Sequence, residues 1–336
     1  MPTESKPRII LGLMVIGPEG TSARLTSMDD FKKSFDIFQD RGYNEIDTAR
    51  LYVGGKQEGF TREAGWKERG FSIATKVFPI PPVSHDPEVL KSTFETSLKE
   101  LGTDSVDDRS IPYDQTLAAV NDLYKAGKFK RLGLSNYSAS EVAEIVMHCK
   151  YNNYVRPTVY QAIYNCLFRT IETELVPTCR RYGIAIDAWS PLGGGFIAGT
   201  IKSKTDNPTT GRYAPGPMEH VTRGKYFRDG IIEGAQMIRE ASEKAGVHPL
   251  EVAMRWLVHH SMLKIRNGDD GIVIGWSNLQ QLTDNLDYAE KGPLPDDLVE
   301  VLERAWRASK ADVDPYFIQP MEYKYDPQKV LFGGKA

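Results

Sequence analysis

One unit recurs along the chain: a short apolar run, a loop, an amphipathic stretch at helical spacing and a closing glycine. Such repetition alternates strand with helix and confines the chain to α/β folds built on a parallel sheet. Arg8-Ile-Ile-Leu-Gly-Leu-Met14 is the first strand-like run. Ser27 with Asp30 resembles a capping box, Phe31, Phe35 and Phe38 mark one helical face, and Gly42 is the stop. A strand is expected at 44–49, a helix from Gly59 to Arg69, and another strand over Phe71-Ser-Ile-Ala-Thr-Lys-Val77. Asp86 and Pro87 open a further helix, whose Leu90, Phe94, Leu98 and Leu101 stand at helical spacing before Gly102.

The alternation then fails. A helix beginning near Pro112 is expected to bury Leu117, Val120 and Tyr124, but the segment 103–111 before it offers only Val106 and Ile111 among charges. A buried strand needs about four to eight largely apolar residues. Beyond this gap the pattern resumes with strands at 130–136, 158–164, 184–190 and 271–277. Ser138 with Glu141 caps a helix carrying Val142, Ile145 and Val146. Further helices are expected at 172–182, 228–245 and 248–260, with a Gly/Pro-containing insertion at 200–227. The count is seven strands where eight would close a (β/α)8 TIM barrel, so the expected fold is that barrel with its fourth strand missing or degraded.

Composition narrows the classes of function. The chain has 336 residues, 40% of them hydrophobic, and its net charge of −3 includes no basic stripe able to neutralise phosphates. Nucleic acid is therefore not the expected partner. Cys149, Cys166 and Cys179 are odd in number and form no CxxC, which suits a reducing, cytoplasmic setting. The apolar run Ile9 to Ile16 is too brief for a signal sequence or a membrane span. No zinc-binding spacing is present, and no metal is expected.

Chemistry is concentrated first in Asn44-Glu-Ile-Asp-Thr-Ala-Arg-Leu-Tyr52. Asp47 is a carboxylate where a packed strand runs out, and a charge there is costly unless something pairs with it or uses it. The chain then turns through Tyr52, Gly54 and Gly55, so Asp47 and Tyr52 share the carboxyl-end rim, where repeated βα folds place their chemistry. An N-capping Asp and a loop Tyr would read the same on this stretch alone. Lys76, one βα unit later, adds a cation at the same rim.

Taken in order, Asp47, Tyr52, Lys76 in Ala-Thr-Lys, Gly133-Leu-Ser-Asn-Tyr137, Gln161, Trp189-Ser-Pro-Leu-Gly-Gly-Gly195 and Ile274-Gly-Trp-Ser-Asn-Leu-Gln-Gln-Leu-Thr-Asp-Asn285 resemble the aldo-keto reductases. The likeness is greatest to the aflatoxin-aldehyde reductase branch and its fungal relatives. It spans about residues 7 to 318, which implies a barrel domain over 1–318 and a flexible C-terminal tail over 319–336.

The resemblance implies NADP-dependent reduction of an aldehyde or ketone to an alcohol. Tyr52 would be the proton donor, Lys76 would lower the phenol's pKa, and Asp47 would hold Lys76 charged. Ser135, Asn136 and Gln161 would meet the nicotinamide carboxamide, and Trp189 would stack on its ring. Ser190, Pro191, Leu192, Gly193, Gly195 and Gly199 belong to the loop implied to fold over the pyrophosphate. Gly275, Ser277, Gln281 and Asn285 match the adenosine end, and Arg212 matches a basic residue of the same region. Gln281 stands where a cation for the 2′-phosphate is often found.

Two departures stand out. The family's fourth strand ends with a His that hydrogen-bonds the substrate carbonyl, and no residue of 103–111 matches it; His85 lies in a rim loop, while His148, His248, His259 and His260 read as helix residues. Ile318 stands where an Arg would meet acidic substrates. The expected partner is a small carbonyl substrate selected by the rim loops near 17–25, 200–227 and 312–318, with fungal secondary metabolism as the setting. A nicotinamide-nucleotide-binding protein with weak catalysis is the alternative that the absent His leaves open.

Overall fold

The computed structural model describes residues 5–77, 86–101, 113–199, 201–215, 219–318, 323 and 325–332. The 103–111 segment, on which the reading of a lost fourth strand rests, lies outside the described residues, as does His85. Among the described residues, seven short strands form one sheet: β1 (Ile9–Gly12), β2 (Glu45–Asp47), β3 (Ser72–Ala74), β4 (Leu132–Ser135), β5 (Pro157–Ile163), β6 (Ala185–Trp189) and β7 (Gly271–Ile274). Every pairing is parallel, in the order β3-β2-β1-β7-β6-β5-β4. That is the order of strands round a (β/α)8 barrel, with β3 and β4 as the outermost strands of the described sheet. The sheet is strongly curled, because Gln161 Nε2 of β5 reaches across the interior to Asp47 Oδ1 of β2 at 2.9 Å.

The helices are α1 (Met28–Asp40), α2 (Gln57–Glu63), α3 (Pro87–Glu100), α4 (Tyr113–Lys125), α5 (Ala139–Asn152) and α6 (Leu175–Tyr182). They continue with α7 (Glu219–Tyr226), α8 (Asp229–Ala245), α9 (Pro249–His259), α10 (Leu279–Glu290), α11 (Asp296–Ser309) and α12 (Pro327–Phe332). Their starts follow from side chains that satisfy orphan backbone N–H groups. Ser27 Oγ accepts from Asp30 N, Asp86 accepts from Glu88 N and Val89 N ahead of Pro87, and Ser138 and Glu141 form both halves of a capping box.

Several boundaries differ from expectation for local reasons. The helix expected to reach Arg69 ends at Glu63, because Gly65 takes a positive φ and turns the chain. The helix expected from 172 begins at Leu175, after a 3-10 turn over Thr170–Glu172. Tyr124 is exposed rather than buried. The core-facing stripe of α4 runs through Leu117, Val120 and Leu123, and Tyr124, one residue further round, packs its ring on Phe129. In the 319–336 segment, α12 is helical and the Tyr323 hydroxyl donates to Glu141 Oε1.

One large apolar core fills the space between sheet and helices, with Leu11, Phe35, Tyr160, Ile186 and Trp256 buried in it. A smaller cluster of Val77, Leu90, Phe94, Val120, Leu123, Phe129 and Leu132 joins α3 and α4 beside the outermost strands. Polar groups plug the amino-terminal end of the barrel: Arg8 binds both oxygens of Glu45 and, at 2.6 Å, Asp187. Burial pushes the Asp187 carboxyl up to about 6 despite that partner, with Glu45 and Asp47 adding to the rise.

Two predictions follow from this packing. Helices α8 and α11 cross where a Cβ on Gly230 would lie 2.3 Å from the Ala308 carbonyl oxygen. Gly to Ala in a helix ordinarily gains up to about 1 kcal/mol; here overpacking reverses the sign, and Gly230→Ala is expected to lose about 1–3 kcal/mol in denaturant unfolding. Asp187 holds its proton more tightly folded than unfolded, so its contribution to stability falls as pH rises from 3.8 to about 6. Asp187→Asn removes this slope, a difference of up to about 3 kcal/mol between the two proteins' stability curves across that window.

Candidate active site

The carboxyl ends of β2 and β3 fix the centre of the site. Register pairs Asp47 with Ala74, which leaves Lys76 two residues past β3 and beside the Asp47 side chain. Lys76 Nζ donates to both Asp47 oxygens at 2.6 Å and to the Thr48 carbonyl at 2.7 Å. Asp47 is buried and takes its further bond from Gln161, so one carboxylate ties β2 to β3 and to β5. The Tyr52 ring centroid lies 5.4 Å from the Lys76 ammonium.

The titration of these groups is set by opposing effects. Burial lowers the proton affinity of Lys76, but Asp47 and Tyr52 outweigh it and hold the ammonium above its ordinary pKa. Burial raises Tyr52, and Lys76 and Arg212 pull it back only in part, with Asp47 opposing them. The net direction for Tyr52 is upward, the reverse of what the neighbouring lysine alone implies. Desolvation of the phenolate is the larger effect.

Backbone strain collects at the same rim. Of the non-glycine residues with positive φ, Val53 (53°), Asn136 (64°) and Ser190 (59°) directly follow Tyr52, the end of β4 and the end of β6. A β-branched residue in this region is unusual, and such strain persists where the surroundings over-determine it. Asn165 Nδ2 holds the Ser190 carbonyl at 2.9 Å, and the Ser190 and Tyr226 hydroxyls are 3.0 Å apart. The Ile318 amide donates to the Asn136 carbonyl at 3.2 Å, bringing the closing segment over β4.

The remaining sequence-derived candidates fall into three groups. Ser135, Asn136, Trp189 and Ser190 stand at or just past the ends of β4 and β6, and Gln161 lies within β5, paired with Ser135. Pro191, Leu192, Gly193, Gly195 and Gly199 lie in the loop after β6, where a 3-10 turn spans Gly193–Ala198 and the Tyr213 hydroxyl donates to the Gly193 carbonyl. Gly275, Ser277, Gln281 and Asn285 share the β7–α10 corner. There Ser277 N and Oγ donate to Gln281 Oε1 at 3.0 and 2.9 Å, and Asn285 Nδ2 donates to the Gly275 carbonyl.

Arg212 reaches the strand end next to that corner, since β1 pairs with β7. Its guanidinium lies 3.7 Å from Met14 Sδ at the end of β1, its Cγ packs beside Gly194, and its charge acts on Tyr52. Lys225 and Tyr226 of α7, which sequence reasoning missed, stand beside candidate site residues, with the Lys225 ammonium 5.4 Å from the Trp189 ring centroid and the Tyr226 hydroxyl against Ser190. Their only signal was membership of the long insertion.

His148 lies in α5, His248 caps α9, His259 meets the Lys291 carbonyl and His260 accepts from Leu294 N, all away from the rim. Among the described residues no group of three His, Cys, Asp or Glu side chains could hold a metal ion, and no helix is long and apolar enough to cross a membrane.

A curled parallel sheet in this strand order is a (β/α)8-barrel scaffold, and comparison with known proteins makes this one an oxidoreductase, of the aldo/keto reductase family. The chain belongs to that family, whose model matches residues 8–307. An aldo-keto reductase of Pseudocercospora fijiensis is 41% identical over 294 residues, covering 84% of this chain and 99% of that protein. The human aflatoxin B1 aldehyde reductase member 4 is 36% identical over 336 residues, covering 94% of this chain and 98% of that protein. The aldo-keto reductase pigE of Monascus ruber is 35% identical over 333 residues, with 92% and 96% covered.

Proposed function

We propose that this protein reduces an aldehyde or ketone to an alcohol with NADPH, with Tyr52 as proton donor. The observation that carries the reading is the Tyr52–Lys76–Asp47 cluster at the carboxyl-end rim. Reduction of a carbonyl needs a proton for the developing alkoxide, and a phenol releases one readily only where a cation stabilises the phenolate. Lys76 is that cation, and Asp47 holds it charged and aimed. Placement in the cytoplasm and in fungal secondary metabolism belongs to the same reading, supported by the fungal relatives and by the cysteine pattern.

The rim's residues fit a nicotinamide nucleotide by the chemistry of their donors. Trp189 offers an aromatic face, Ser135, Asn136 and Gln161 offer hydroxyl and amide partners, and the loop from Ser190 to Gly199 turns backbone through positive φ at Gly193, Gly194, Gly195 and Gly199. Ser277, Gln281 and Asn285 suit the adenosine end. The nucleotide supplies the hydride when bound. Arg212, beside Met14 and Gly194, is suited to a phosphate group of the nucleotide.

A second reading rests on a specific feature of the sequence: no His occurs between Leu101 and Tyr113, where the family's carbonyl-orienting residue would stand. A protein that binds the nucleotide and turns over slowly fits that feature. Ultraviolet absorbance decay of NADPH with an aromatic aldehyde separates the two. Binding without turnover favours the second.

Tyr52→Phe is expected to abolish turnover while leaving NADPH affinity nearly unchanged, and Lys76→Met to act similarly by withdrawing the charge that favours the phenolate. Wild-type turnover in Tyr52→Phe would sink the assignment. Trp189→Ala is expected to weaken nucleotide binding, and Arg212→Ala to weaken NADPH more than NADH. Fluorescence titration with both nucleotides tests this; equal losses on Arg212→Ala would remove the reason for preferring NADP.

A further inference from the structure

The turn that carries Tyr52 is anchored from behind by a buried carboxylate that none of the chemistry above uses. Glu58, in the first turn of α2, is fully buried. Its Oε1 accepts from Thr75 Oγ1 at 2.6 Å, and its Oε2 accepts from Ser97 Oγ at 3.1 Å and from Arg50 Nη1 at 3.1 Å. Thr75 is the residue immediately before Lys76. Arg50 stands two residues before Tyr52, and the same Nη1 reaches the Gly55 carbonyl at 2.9 Å and Glu100 Oε2 of α3 at 2.9 Å.

These bonds enclose the reacting groups. The backbone of Arg50 donates to the Lys76 carbonyl at 3.1 Å, while its side chain closes the 50–55 turn on itself through Gly55. Lys76 is thus fixed in front by Asp47 and the Thr48 carbonyl, and behind by Thr75 on Glu58. The turn needs such an anchor, because Val53 sits buried at φ 53° and ψ 43°, a conformation a β-branched side chain does not hold unaided. Val53 is wedged against Gly17, where an added Cβ would lie 2.9 Å from Val53 Cγ1.

We infer that the Arg50–Glu58 pair is a positioning device that sets the separation of the Tyr52 phenol from the Lys76 ammonium. The inference rests on the reading of Tyr52 as proton donor. Arg50 and Glu58 act through the turn and the strand end, and neither joins the proton transfer. A salt bridge kept only for stability could have been placed anywhere on α2 and α3; of the four further bonds this pair makes, two go to α3 and the other two to the turn after Tyr52 and to the residue before Lys76.

The test compares Arg50→Met, Arg50→Lys and Ser97→Ala with wild type and with Tyr52→Phe in the full chain, using NADPH and an aromatic aldehyde. In Arg50→Met, kcat is expected to fall by about a hundredfold with the KM for NADPH nearly unchanged, the size of loss that misplacing a reacting group brings. The alkaline limb of the kcat profile should also move, since it reports the Tyr52–Lys76 separation. Arg50→Lys keeps the charge but is one atom shorter and falls short of the point where Arg50 Nη1 meets Gly55, Glu58 and Glu100, so it should show the same shift with partial recovery. Ser97→Ala, which spares the turn, should change thermal stability more than kcat. Wild-type kcat and pH profile in either folded Arg50 variant would overturn the inference, and Arg50→Lys decides it if Arg50→Met does not fold. Turnover retained by Tyr52→Phe would instead overturn the underlying reading of the site.

Discussion

The structure turns on one carboxylate. Asp47 sits where a three-residue strand gives out, buried, and a charge in that position is tolerated only if fully partnered. Its partners come from both sides: Lys76 from the adjacent strand end and Gln161 from the far wall of the barrel. Satisfying Asp47 therefore requires the sheet to curl until β5 faces β2. The same requirement brings a lysine, an amide and a tyrosine to one rim.

Much of this was legible in the sequence, because it depends on local patterns. The capping box at Ser138 and Glu141, the Asp86-Pro87 helix start and the apolar strand runs each follow from chemistry within a few residues. Asp47, Tyr52 and Lys76 were legible because their spacing places them at successive strand ends. Tyr124 was misread because its spacing from Val120 fits the helical period, while the buried stripe of α4 passes one residue to the side.

What stayed hidden depends on contacts distant in sequence. The position of Arg212 follows from how the insertion folds back on Met14, 198 residues away. Lys225 and Tyr226 have the same origin. The Glu58 hub draws on Arg50, Thr75 and Ser97, and no spacing rule links those residue types. The close crossing of α8 and α11 at Gly230 and Gly234 is equally invisible in a helix that, on its own, reads as an ordinary amphipathic one.

The upward direction of the Tyr52 pKa bears on how the site can work. Along β2, Glu45 and Asp47 share the interior face, being two residues apart on a strand. With Asp187 they make three interior carboxylates, answered by the two cations Arg8 and Lys76. Burial is the main cause that favours retention of protons, lifting Asp187 to about 6 and raising Tyr52, where Lys76 and Arg212 offset it only in part. For a proton donor that is the useful resting state, since the group must still carry its proton when the carbonyl arrives. On the proposed reading of Tyr52 as proton donor, Lys76 then matters as the transfer proceeds, when negative charge grows on the phenol oxygen and an ammonium already fixed by Asp47 stabilises it without rearranging.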